Sequence, residues 1–198
     1  MLLLARHGRT TANAEGRLLG RLDPGLDDVG VAQAAALARV PAVREAVRVV
    51  CSPLVRTRVT AEAMGLPLTV DDRWIELDYG ALDGTLLSDV PASIWSSWRA
   101  DPGFAPPGGE SITAVGERVA AALADLLDEA AEHDIVVVSH VSPLKAALAW
   151  SLGVGDEVAF RIHLATACLN RVAVTPGRQA VVHSINEVAH LSDSGLKR

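Results

Sequence analysis

The sequence predicts an α/β fold on a mixed, mainly parallel sheet, and three observations carry that prediction. Residues 2–5 are a short apolar run, 47–51 a β-branched run, and 135–138 an uninterrupted apolar run of the kind that strands buried on both faces of a parallel sheet carry. Stretches of helical length, alanine-rich or with apolar residues near helical spacing, alternate with these runs. Near the end, residues 169–175 and 179–184 flank Pro176-Gly177 and read as a hairpin, which makes the sheet mixed.

The elements follow in order. The first strand covers residues 2–6, and residues 30–40 form an alanine-rich helix before the strand at 47–51. A helix is expected over 53–64, with Ser52 as its N-cap and Pro53 at its first position. Residues 71–109 contain Trp74, Trp95 and Trp98, and their Pro102, Pro106, Pro107, Gly108 and Gly109 suit no regular element. That stretch reads as an irregular, loop-rich cap over the active site. Glu110 or Ser111 opens a long helix to about His133, with Val115, Val119, Ala122, Leu123, Leu126 and Leu127 near helical spacing. After the strand at 135–138, residues 143–152 resume as a helix. No linker separates domains, so residues 1–198 are expected to form one domain with a cap at about 71–109.

Composition narrows the function classes. With 198 residues, 49% of them hydrophobic and 21% charged, the chain is long and apolar enough to bury a sizeable core. A formal net charge of −6 argues against a general nucleic-acid partner or an anionic membrane surface, while a local basic pocket would select small anions. Cys51 and Cys168 stand far apart, with no histidine at zinc-site spacing, and read as buried thiols. The first apolar run reaches Arg6 too soon for a signal peptide, and nothing approaches the ~18 consecutive apolar residues of a membrane span. A cytoplasmic location is expected. The oligomeric state stays open, a homodimer included.

The chemistry begins at Arg6-His7-Gly8, where the first strand should end. A guanidinium fork can hold phosphate oxygens, a neutral imidazole nitrogen can attack phosphorus, and a glycine lets the backbone approach an anion. Thr10 and Asn13 add polar groups within a turn of the loop. Arg56 lies on the first turn after the second strand, at the sheet edge where ligands of open α/β folds gather. Glu76 is flanked by Trp74, Ile75 and Leu77, surroundings that would favour a protonated carboxyl able to act as a general acid. His140 emerges from the third apolar strand just before a helix. Read singly, each has an ordinary alternative: an exposed helix arginine, a surface glutamate, a structural histidine.

Together these segments resemble the histidine phosphatase superfamily, also called phosphoglycerate-mutase-like. The likeness runs through Arg6-His7-Gly8, Thr10 and Asn13; Gly20, Arg21 and Asp23; Ser52, Leu54, Arg56, Thr57 and Thr60; Glu76, Gly80 and Asp83-Gly84; residues 107–111; and Val138-Ser139-His140. It implies a three-layer helix-sheet-helix fold whose mainly parallel sheet contains one antiparallel strand. It also implies that His7 becomes phosphohistidine, that Arg6, Arg56 and His140 surround the phosphoryl oxygens with Asn13 and Arg21 as further binding groups, and that Glu76 protonates the leaving alcohol and later activates water. His7 should then be neutral, with its second nitrogen fixed by a backbone carbonyl, and His140 should be protonated beside the phosphate. Two guanidiniums and an imidazolium would supply the positive charge, so no metal or other cofactor is expected.

Around His140 and in the segment VVHSINEVAHL the chain looks most like the α-ribazole phosphatase and acid phosphatase branch. Arg9, Leu82 and Val141-Ser142-Pro143 depart from the common family pattern without removing a reacting group. The implied function is hydrolysis of a small phosphorylated metabolite. The alternatives are a 2,3-bisphosphoglycerate-dependent phosphoglycerate mutase and a catalytically silent phosphate-binding module. A histidine-based metallohydrolase fits less well, because no histidine and carboxylate cluster has ligand spacing. Arg17, Arg21 and Arg73 are candidates for a second anionic group of the substrate, and Trp95 and Trp98 for a wall of the cap.

Overall fold

The computed structural model describes residues 1–194. In chain order it holds β1 (Leu2–Arg6), α1 (Thr11–Ala14), α2 (Asp28–Leu37), α3 (Pro41–Glu45), β2 (Arg48–Cys51), α4 (Val55–Glu62) and β3 (Leu68–Val70). Then follow α5 (Ala92–Ala100), α6 (Ile112–Ala124), α7 (Leu127–Glu132), β4 (Ile135–Ser139), α8 (Val141–Leu152), β5 (Leu169–Val174) and β6 (Ala180–Glu187). The strands form one sheet in the order β3-β2-β4-β1-β5-β6. Pairings β1·β4, β2·β4 and β2·β3 are parallel, and β5 runs against both β1 and β6. One strand is therefore antiparallel in a mainly parallel sheet, as expected.

Alternation along each strand sends side chains to two cores. Leu3 and Ala5 of β1, Val49 and Cys51 of β2, and Val136 and Val138 of β4 pack with Leu37, Val43 and Ala61 from α2, α3 and α4. Leu2, Leu4, Ile135 and Val137 face the other way, onto Val115, Val119 and Leu123 of α6, Leu127 of α7, and Leu144 and Leu148 of α8. Both faces are covered, which gives the three layers.

Several expectations are corrected. The long helix over 111–133 is two helices: the Leu126 amide donates to the Leu123 carbonyl at 2.8 Å, an i to i−3 closure that re-phases the chain so that Leu126 and Leu127 are both buried. The segment over 71–109 is not wholly irregular, since it contains the nine-residue α5, whose Trp98 packs with Leu18 and Val90. The short edge strand β3 was not expected from its sequence. Helix α4 begins at Val55 and not at Pro53, and Ser52 does not cap it; the Asp23 carboxylate accepts the Val55 N–H instead, at 2.9 Å. Helix α8 begins at Val141, two residues before Pro143, with His140 in the N-cap position.

Candidate active site

Sheet order gathers the site. Arg6 lies opposite Ser139 and Cys51 opposite Val138, so the chain leaves three neighbouring strands at His7, His140 and Ser52. Two hydrogen bonds continue the ladders past the strand ends, from the His7 amide to the Ser139 carbonyl at 3.0 Å and from the Ser52 amide to the Val138 carbonyl at 3.2 Å. The rings of His7 and His140 consequently stand 5.1 Å apart, edge to face.

His7 is buried, and its Nδ1 lies 2.6 Å from the Gly8 carbonyl oxygen. A carbonyl only accepts, so Nδ1 carries the proton and Nε2 keeps its lone pair. Burial, followed by the nearby guanidiniums of Arg6 and Arg56, holds the ring's pKa well below its ordinary 6.5. The ring is neutral, as a nucleophile requires. Gly8 has a packing role that the sequence did not suggest: a Cβ there would lie 2.4 Å from the Gly30 carbonyl oxygen, so this glycine seats the loop against the first turn of α2.

Arg6 donates from Nη1 to the Leu164 carbonyl at 2.7 Å, while its Nε is buried without a hydrogen-bond partner. Asn13 closes a capping box with Thr10: its Oδ1 accepts the Thr10 N–H at 3.1 Å, which leaves the Nδ2 donors for the cavity that Arg6, His7 and Asn13 line together. Arg56 is fully buried; Nη1 and Nη2 each donate at 2.8 Å, to the carbonyls of Leu22 and Gly20. Burial pulls the pKa of both arginines down, and Glu76 is among the charges that oppose it.

His140 departs from expectation. The Arg56 Nε, which can only donate, lies 3.2 Å from its Nδ1, so that nitrogen accepts and the proton sits on Nε2, 2.7 Å from Ser52 Oγ. Burial, then Arg56, His7, Arg6 and Arg118, hold its pKa well below 6.5. An imidazolium beside two guanidiniums would be repelled, and His140 is neutral here. Ser52, expected as a helix cap, is the hydroxyl that orients it.

Glu76 is buried, and three amides hold its carboxylate: Leu77 at 2.8 Å, and Val141 and Ser142 at 3.1 Å each. The last two are the first residues of α8, whose N-cap His140 makes no side-chain capping bond. Pro143 has no N–H to satisfy, and the Leu144 amide reaches the His140 carbonyl at 3.2 Å. Glu76 thus satisfies the two first-turn donors that need an outside acceptor, and the helix terminus orients the carboxylate in return.

Arg6, His7, Asn13 and Glu76 meet in a cavity of about 320 Å³ that Tyr79, Trp95, Trp98 and Phe160 also line. Arg56 and His140 are buried beside His7 and do not line it. Arg21 is not brought to the cavity; its guanidinium lies 3.5 Å from Glu110 and 3.8 Å from Asp78. Arg73 pairs with Asp71 and Asp125, away from the site, whereas Arg17 lines the cavity and pairs with Glu15 at 2.6 Å. A larger cavity of about 610 Å³ shares Arg6, Asn13 and Arg17 but contains neither His7 nor Glu76. Lys145, Tyr79 and Phe160 were not singled out in the sequence; for Lys145 the available signal was its place one turn along the helix that follows His140. Among the described residues no three His, Cys, Asp or Glu side chains gather so as to hold a metal ion, and no helix is long and apolar enough to cross a membrane.

The family model for the histidine phosphatase superfamily (branch 1) matches residues 2–187. The chain belongs to that superfamily. The bifunctional protein Rv2228c of Mycobacterium tuberculosis is 35% identical over an alignment of 198 positions that covers 96% of this chain and 54% of that protein, so the chain spans about half of that relative's length. Phosphoserine phosphatase 1 of Hydrogenobacter thermophilus is 31% identical over 200 residues, covering 97% of this chain and 94% of that one. Among solved structures, mycobacterial glucosyl-3-phosphoglycerate phosphatase in complex with VO3 superposes with a TM-score of 0.84 at 28% identity, covering 94% of this chain and 99% of that one. These histidine phosphatase likenesses run the length of the sheet and include the strand ends that carry His7 and His140.

Proposed function

We propose that the chain is a metal-independent phosphomonoesterase of the cytoplasm, acting on a small phosphorylated metabolite through a phosphohistidine intermediate. The observation that carries this reading is the His7 ring: Nδ1 is fixed on the Gly8 carbonyl, and the ring stands in a cavity with Glu76, Arg6 and Asn13. The names of the phosphoserine and glucosyl-3-phosphoglycerate phosphatases that it resembles support the same reaction class.

In the first step the Nε2 lone pair forms a bond to phosphorus as the ester P–O bond breaks, and the carboxyl of Glu76 gives its proton to the departing alcohol oxygen. Arg6 and Asn13 hold the phosphoryl oxygens from the cavity side, while Arg56, buried beside His7, adds its positive charge without lining the cavity and neutral His140 packs against the His7 ring. In the second step Glu76, now a carboxylate, takes a proton from water. The water oxygen attacks phosphorus, the N–P bond breaks, and phosphate leaves with His7 restored. No part of this cycle needs a metal, because two guanidiniums bear the charge on the transferring group.

The test is phosphate release from a generic phosphomonoester by protein treated with a chelator, with product analysis in the presence and absence of 2,3-bisphosphoglycerate. Release that survives chelation and does not depend on the bisphosphate is expected. Isomerised phosphoglycerate formed only with the bisphosphate would make the chain a mutase, and no turnover with any phosphomonoester would make it a silent phosphate-binding module.

A further inference from the structure

The cavity holds a cation that the reaction above does not use. Lys145 of α8 is half-buried and lines the same cavity as His7 and Glu76. The other cations there are accounted for: Arg6 serves the phosphoryl end and donates to the Leu164 carbonyl, and Arg17 is held by Glu15 and the Gly84 carbonyl. Among the described residues the Lys145 ammonium makes no hydrogen bond and no ion pair. Glu76 is close enough to favour its charge but does not pair with it, and burial pulls its pKa down. The ammonium stays open to the cavity, so an anion bound there can replace water as its partner.

We propose that Lys145 reads a carboxylate on the leaving alcohol, so that the preferred substrates are phosphate monoesters of small hydroxy acids. This assignment rests on the phosphatase reading above and adds the chemistry of the group that departs. The phosphoryl end is served by Arg6, His7 and Asn13, while Lys145 shares the remaining wall with Leu77, Tyr79, Trp98 and Phe160. That wall offers one uncommitted positive charge among mainly apolar side chains. A single charge of this kind matches a carboxylate; a second phosphate would bring about two negative charges and need more donors than the wall provides. With about 320 Å³ available, the cavity suits a leaving group of a few carbons or a single ring.

The experiment compares two substrates that differ only where Lys145 is said to act, 3-phosphoglycerate and glycerol 3-phosphate, in which CH2OH replaces the carboxylate. The readout is the ratio of their kcat/KM values in wild type and in Lys145→Met. A charge-assisted contact of this kind predicts a wild-type ratio of about tenfold or more, expressed mainly in KM, that falls toward one in the variant. A ratio that Lys145→Met leaves unchanged overturns the proposal, including the case where both substrates slow equally. Binding of the two matching non-hydrolysable phosphonates, measured by calorimetry, needs no turnover. If nothing is hydrolysed but the carboxylate phosphonate binds more tightly and loses that preference in Lys145→Met, the phosphatase reading fails and the carboxylate contact of Lys145 stands as a binding contact. Equal binding of both phosphonates by wild type overturns it.

Discussion

At the scale of single residues, hydrogen-bond donors and acceptors fix the protonation of the site more firmly than composition did. The Gly8 carbonyl requires a proton on His7 Nδ1, and the Arg56 Nε–H requires a lone pair on His140 Nδ1. The first was legible as a need of the chemistry, although the partner was not. The second reverses the expectation of an imidazolium: two guanidiniums were expected near His140, but neither its burial nor the Arg56 N–H that claims its Nδ1 shows in the sequence. Glu76 carries two tasks that substitutions separate. Glu76→Gln keeps an oxygen for one of the two α8 amides but has no acid proton, so kcat should fall more for alkyl phosphates than for p-nitrophenyl phosphate, whose leaving group needs less protonation. Glu76→Ala should in addition lose about 1–2 kcal/mol of stability in urea unfolding, as the loss of a helix cap does. Equal kinetic losses on both substrates would remove Glu76 from the acid role, and an unchanged urea midpoint for the alanine variant would remove it from the capping role.

At the scale of elements, what could be read and what could not divide along physical lines. Strands β1 and β4 were legible because burial on both faces leaves apolar runs, and β2 because Val47, Val49 and Val50 make a β-branched stretch around Arg48. Strand β3 was not, since three half-exposed or exposed residues at a sheet edge leave no pattern. The break between α6 and α7 was hidden because Leu126 and Leu127 continue the apolar spacing through it. Helix starts were misplaced where a distant carboxylate does the capping, Asp23 for α4 and Glu76 for α8, since a local cap motif is the only start signal a sequence shows. The contact between the His7 loop and α2 is of the same long-range kind. A Cβ on Gly30 would stand 1.9 Å from the Arg9 carbonyl oxygen, with backbone on both sides of the clash. Gly30→Ala should therefore destabilise by about 1–3 kcal/mol or more and displace the loop that carries His7. Wild-type stability in that variant would mean that the loop does not rest on α2.

At the scale of the whole molecule, the sheet order does what no motif alone states: it sets β2, β4 and β1 side by side, so that Ser52, His140 and His7 share one edge. Burying that edge has a thermodynamic consequence. His7 and His140 are held neutral well below pH 6.5 in the folded chain, while their unfolded counterparts titrate at about 6.5. Above that value both states leave the rings neutral, and stability is unaffected by these groups. As pH falls below it, the unfolded chain takes up protons that the native chain refuses, so stability declines by up to about 1.4 kcal/mol per pH unit for each ring. Partly buried His190 adds in the same direction. Urea unfolding at pH 7.5, 6 and 5 should show this decline, and His7→Gln with His140→Gln should flatten it. The same slope in wild type and in the double variant would mean that the rings are not held neutral by the fold.

The account depends most on His7 being the group that receives phosphorus. Rapid mixing with a labelled phosphomonoester, quenching in base and peptide mapping by mass spectrometry tests this directly. The predicted result is one phosphoryl group on Nε2 of His7, stable in base, lost in acid and absent from His7→Ala. Label on another residue, or hydrolysis by His7→Ala at the wild-type rate, would contradict it.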